Sequence, residues 1–164
     1  MKLLPHIAAL AVLMLALGLG TTACSDDSCY DNGSSLPLAT FCVGDNQQTI
    51  SGLTIMGIGV PGDSLLLDSA SAKETYLPLR ATTGSTSFLL RRHMIADTVW
   101  THVDDTLTID YEPIEYFHSL ECGAMFNFAI KRVTCTHHVV DSVVLLTDLI
   151  TNSPSPSLRI HFGK

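Results

Sequence analysis

From Leu36 onward the apolar residues come in short runs cut by turn signals, and three of these runs alternate strictly with polar ones. Leu107, Ile109 and Tyr111 alternate with Thr108 and Asp110. Phe126, Phe128 and Ile130 face away from Asn127 and Lys131, and Leu158, Ile160 and Phe162 alternate with Arg159 and His161. Period two in β-branched and aromatic residues predicts half-buried strands, because successive side chains of a strand point to opposite faces. Candidate strands are 38–43, 49–58, 64–67, 75–79, 87–91, 98–103, 106–112, 124–133, 139–146 and 158–162. Asp104-Asp105 reads as a hairpin turn between two of them, and Asn152-Ser153-Pro154-Ser155-Pro156 as the loop before the last. No 12-residue amphipathic helical stretch occurs, although residues 68–75 could form one turn. Eight to ten strands at this spacing predict an all-β chain, a single antiparallel β-sandwich of immunoglobulin-like kind over residues 36–164.

Ahead of that domain the chain has the pattern of an export signal. Lys2 precedes an apolar stretch from Ile7 to Leu19, and the small residues Thr21, Thr22 and Ala23 follow. The stretch is too short to span a bilayer, which takes about 20 residues. Residues 1–23 are therefore expected to be a signal peptide. Residues 24–35 hold Ser, Asp, Asn and Gly without an apolar run, and read as an acidic tether.

Thr21-Thr22-Ala23-Cys24 resembles the lipobox of bacterial lipoproteins, with Thr21 at the position where that family prefers Leu. The resemblance implies cleavage before Cys24, lipidation of its sulfur and acylation of the new amine, and so a membrane partner reached through the lipid. Ordinary cleavage at a Thr-x-Ala site is the other reading. Ser25-Asp26-Asp27-Ser28 resembles the export signal of Bacteroidetes-type surface lipoproteins, which implies display on the outer face of the outer membrane. The plain reading of those residues is a solvated tether.

Charge restricts the partners further. The leader holds one of the nine basic residues and none of the sixteen acidic ones, which leaves eight against sixteen. Such a chain is not a generic nucleic-acid binder and does not dock on anionic lipid by charge.

Cysteine parity fits lipidation. Five cysteines are odd for an oxidising compartment, and removing Cys24 leaves Cys29, Cys42, Cys122 and Cys135 as disulfide candidates. Four cysteines allow three connectivities; Cys29–Cys122 is preferred, as it would tie the tether to the sandwich. Spacings of 13 residues within Cys29/Cys42 and Cys122/Cys135 do not fit a zinc site.

Motifs for chemistry are weak. Gly57-Ile58-Gly59-Val60-Pro61-Gly62 spells a dinucleotide fingerprint, yet strand-like Ser64–Leu67 follows where a helix is required, so a glycine-rich turn is expected. Glu112 and Glu115, around Pro113, read as solvated loop carboxylates rather than a glycosidase pair, and with His118 and Glu121 they form the one dense group of acid–base residues a hydrolase could use. His137 and His138 would point to opposite faces of a strand. No catalytic residue, metal site or cofactor is assigned.

Asp-Ser/Thr-apolar recurs at Ser64, Ser69, Thr98, Thr106 and Ser142. The pattern resembles the O-glycosylation acceptor motif of Bacteroidetes-type exported proteins, which implies Ser64 and Ser69 foremost. Equally, Asp-Ser and Asp-Thr end turns before an apolar residue starts a strand.

Leu77-Pro78-Leu79 before Thr86-x-Phe88, Leu107-x-Ile109-x-Tyr111, Ser119-Leu120-Glu121-Cys122-Gly123 and Leu158-x-Ile160-x-Phe162, with Cys29 and the lipobox, resemble an uncharacterised family of Bacteroidetes-type lipoproteins. The resemblance implies a lipid-anchored envelope protein, names no active site and leaves the molecular function open; the absence of catalytic motifs points to a non-enzymatic binding or assembly module with an envelope protein or glycan partner. An adhesin or pilus-like accessory subunit is the first alternative, a glycan- or peptide-acting hydrolase the second.

Overall fold

A computed structural model describes residues 35–59, 64–96, 99–120 and 123–163. Among the described residues eleven strands follow one another: β1 Leu38–Val43, β2 Asn46–Gln47, β3 Ile50–Ile58, β4 Leu65–Ala72, β5 Glu74–Tyr76, β6 Ser85–Ala96, β7 Val99–Ser119, β8 Gly123–Cys135, β9 Val140–Leu145, β10 Leu149–Ile150 and β11 Pro156–Phe162. They form two sheets. One has the order β2-β1-β11-β9, with β5 also pairing β1, and the other runs β10-β8-β7-β6-β3-β4. No helix among the described residues is long and apolar enough to cross a membrane.

The alternating runs supply the inner faces. Leu107, Ile109 and Tyr111 are buried on β7, Phe128 and Ile130 on β8, and Leu158, Ile160 and Phe162 on β11. They join Phe41, Leu53, Ile55, Phe88 and Leu90 in one apolar cluster to which both sheets contribute. Two edge-to-face aromatic pairs lie in it, Phe41 with Phe162 at 5.7 Å and Tyr111 with Phe128 at 5.3 Å between centroids. This geometry is the one ring quadrupoles favour. Ser35 is also buried and donates from Oγ to Asn127 Oδ1 at 2.9 Å, fastening the start of the described chain to β8.

Four details differ from expectation. The strand order meets the immunoglobulin-like reading only as far as two sheets go, since six strands sit in one of them. The first and last long strands, β1 and β11, pair in parallel, with Phe41 opposite Ile160. Their ends are joined through the whole domain, so no hairpin dictates their direction. Residues 68–75 carry no helical turn but run through β4 into β5. Finally, Asp104-Asp105 is not a turn. β7 continues straight through it, with Asp104 opposite Arg91 and Asp105 opposite Leu90 on β6.

That last difference has a local cause. Asp104 is held in a two-pronged pair by Arg91, Nε to Oδ1 and Nη2 to Oδ2, both at 2.7 Å. Asp105, its neighbour on the opposite face, is buried and fully bonded. Each carboxylate thus has a partner within the fold, and neither needs the solvent that a turn would offer.

Candidate functional site

The residues marked by sequence scatter rather than converge. Cys24, Cys29, Cys122 and Thr98 lie outside the described residues. Cys42, buried in β1, and Cys135, half-buried at the end of β8, carry free thiols. The Cys42–Cys135 pairing is therefore not made. Of the Asp-Ser/Thr positions, Ser64 and Ser69 are exposed beside and on the edge strand β4, and Ser142 is exposed on the edge strand β9. Thr106 is half-buried on β7, which is paired on both sides. Ser69 has a positive φ of 45° and its amide donates to Thr54 Oγ1 at 2.9 Å, so its bulge is pinned from β3.

Glu112 and Glu115 are not loop residues. They face Ala129 and Phe126 in an unbroken stretch of the β7–β8 ladder. An odd separation on a strand sends them to opposite faces, and Glu112 is taken by Lys131 at 2.9 Å. His137 and His138 lie in the β8–β9 connection, not on a strand, each with Nδ1 engaged, at Val140 O and Asp105 Oδ1. Among the described residues no three of His, Cys, Asp and Glu come together as a metal would require. The glycines at 57–59 end β3 and open the hairpin to β4, with Gly59 at φ +69°.

Sequence reasoning missed the best-built polar site. Asp105 is almost fully buried on β7 and receives the segment that joins β8 to β9. Oδ1 accepts from Thr136 Oγ1 at 2.7 Å, His138 N at 2.9 Å and His138 Nδ1 at 2.9 Å. Oδ2 accepts from Val139 N at 2.8 Å and Val140 N at 2.9 Å. Burial acts most strongly on this carboxyl and raises its pKa. The hydrogen bonds from Thr136, Val139, Val140 and His138 together outweigh it and bring the value to about 2. The only signal in the sequence is an Asp at an inward position of an alternating run, in register with Leu107 and Ile109. Asp105 also lifts the neighbouring Cys135 thiol: burial first, and the Asp105 charge second, push it up to about 11. That thiol is therefore not poised as a nucleophile.

Two surface features remain. A cleft of about 100 Å³ opens between the β3–β4 hairpin and the stretch after β5. Leu66, Leu79, Pro78 and Phe88 give it apolar walls, and Arg80 stands among them. The backbone of Arg80 is clamped by Tyr111, whose hydroxyl accepts from Arg80 N and donates to Arg80 O, both at 2.9 Å. The second feature is the margin of the smaller sheet. β9 ends that sheet, and Val144, Leu145 and Leu146, with Leu149 just beyond, are exposed there.

These observations define an all-β protein of two sheets, with a buried polar anchor and an apolar edge. Residues 52–162 match a family of unknown function, DUF6452, and the chain belongs to that family. No curated protein and no solved structure matches the chain.

Proposed function

We propose that this protein is a lipid-anchored outer-membrane lipoprotein of Bacteroidetes type, displayed at the cell surface, where it works as a non-enzymatic binding or assembly module. The observation that carries the reading is the β9 margin. An edge strand offers unpaired backbone groups to an incoming strand, and exposed Val144, Leu145 and Leu146 provide the apolar contact that strand addition uses. Natural edges are usually blunted by Lys, Pro or charge, and the Val143–Leu146 run carries none of these. Thr21-Thr22-Ala23-Cys24 supports the anchor, and Ser25-Asp26-Asp27 supports surface display. The two-sheet body we read as a β-sandwich carried on the tether.

The same margin favours a second reading, an adhesin or pilus-like accessory subunit that exchanges strands with a partner.

Intact mass of the protein from its native membrane, with peptide mapping after protease shaving of whole cells, tests the anchor and its side. A lipid adduct on Cys24 and shaved peptides from 36–164 are expected. An unlipidated chain beginning at Cys24 would overturn the anchor. For the edge, cross-linking in intact cells is compared between the native chain and Val144→Lys. The charge should abolish a discrete cross-linked species, and an unchanged pattern would rule the edge out.

A further inference from the structure

We propose that the cleft beside Arg80 binds a small aliphatic carboxylate, with the guanidinium taking the acid group and the apolar walls taking the tail. The inference goes beyond the envelope reading and does not need the lipid anchor or the β9 edge.

The argument starts from the donors of one side chain. A guanidinium carries five N–H groups and a charge that is never given up. Arg80 spends Nη1 on Gly59 O at 3.4 Å and Nη2 on Ser85 O at 3.1 Å. Both acceptors are neutral carbonyls. Its Nε is buried with no partner, alone in this respect among the buried side-chain nitrogens and oxygens described. Arg91 and Arg132 meet carboxylates, Asp104 and Asp110, while Arg92 gives Nη1 to the carbonyl of Gly163. No described carboxylate meets Arg80. A charge part-buried with no counter-ion among the described residues is costly unless something anionic completes it.

Its surroundings say what kind of anion. The walls are Leu66, Leu79, Pro78 and Phe88, with Thr86 and Ser64 as the polar lining. Inorganic anions would gain nothing from them. At about 100 Å³ the space suits a chain of a few carbons. Arg pairs best with planar carboxylates, in two-pronged fashion. Position is secured as well, since Tyr111 holds the backbone of Arg80 from both sides and also contacts Thr86 Oγ1 at 2.6 Å. The ligand chemistry has two sources, a free short-chain acid or the terminal carboxylate of a peptide.

The test is an amide-resolved NMR titration of the native chain with butyrate, with 1-butanol as its uncharged counterpart. Two further arms use a short peptide ending in Val, as free acid and as amide. Saturable shifts at Gly57, Ser64, Leu66 and Thr86 are expected with a carboxylate form, with Kd on the order of 0.1–1 mM for a ligand this small. Whichever carboxylate binds more tightly names the source. Equal binding of butyrate and butanol would overturn the proposal, as would no saturable shift with either carboxylate. Arg80→Gln should weaken binding at least tenfold, and unchanged binding would overturn it too. Tyr111 grips only the backbone of Arg80, so this variant keeps the loop anchored. Should Arg80→Gln fail to fold, the butyrate–butanol comparison on the native chain still decides.

Discussion

Asp105, a third of the way along the longest strand, accepts from the backbone amide of Val140 at 2.9 Å, and Val140 is the residue on which β9 begins. One buried carboxylate of the larger sheet thereby sets where the chain enters the smaller one. Removing it leaves Thr136 Oγ1 and the amides of 138, 139 and 140 without their acceptor. Asp105→Ala is expected to cost about 3–5 kcal/mol, the range for a buried charged partner taken from its donors. Asp105→Asn keeps the shape but turns an NH2 toward amide donors, and should cost on the order of 2 kcal/mol. Urea unfolding of both variants measures this.

The same carboxylate makes stability depend on acid. Its pKa is lowered from 3.8 to about 2 in the folded chain. A depressed carboxyl stabilises above its unfolded pKa, and that contribution is lost as pH falls from there through the folded value. The amount is roughly 2–3 kcal/mol, at about 1.36 kcal/mol per pH unit. The gap in unfolding free energy between the native chain and Asp105→Asn should be constant from pH 7 to 5 and shrink below pH 4. A gap that stays level down to pH 2 would contradict the assignment.

Cys135 should be slow to react. With its thiol pushed up to about 11, almost none is thiolate at neutral pH. Cys42 is shielded by burial. Iodoacetamide at pH 7.5 should label neither until denaturant is added, as read by mass spectrometry. In Asp105→Asn, Cys135 should label faster than in the native chain, since the charge that helps hold its proton is gone.

Tyr111→Phe separates ring from hydroxyl. The ring would keep its edge contact with Phe128, while Arg80 and Thr86 would lose their common partner. About 1–3 kcal/mol is expected, with the loss of amide protection concentrated around 77–86 in hydrogen exchange. Uniform loss across all strands would show that the hydroxyl is no local clamp.

Two glycines with nearly equal φ make a controlled pair. Gly52, at φ +64°, lies where a Cβ would stand 2.7 Å from the backbone oxygen of His93. Gly44, at φ +60°, faces open space. Gly44→Ala should cost only the left-handed penalty, about 1–2 kcal/mol. Gly52→Ala adds a collision with backbone that cannot swing away, and should cost at least about 2 kcal/mol more. Thermal unfolding of the two variants side by side checks the difference.

Where a strand buries one face and wets the other, its identity could be read directly. Leu107, Ile109 and Tyr111, and Leu158, Ile160 and Phe162, are all buried as the alternation required. The strands of 106–112 and 124–133 were legible in type but not in extent, because ladder length depends on the partner strand. Asp104-Asp105 resisted reading for a different reason. Two adjacent carboxylates look like a turn unless Arg91, 13 residues back, and the amides of 138–140, more than 30 residues ahead, are known to meet them. β2 and β10, of two residues each, carry no periodicity at all. Arg80 was equally silent, since what distinguishes it is a buried Nε without a partner among the described residues, which only the fold reveals.

The parallel pairing of β1 with β11 also decides how the domain bears load. The chain enters at the start of β1 and leaves at the end of β11, and these two strands run side by side in the same direction. Tension applied between those points pulls the strands past each other lengthwise. The hydrogen bonds of the ladder are then strained together rather than peeled one at a time. A domain held at its front end and tugged from its back end would thus yield in shear, the mode in which a short ladder resists longest.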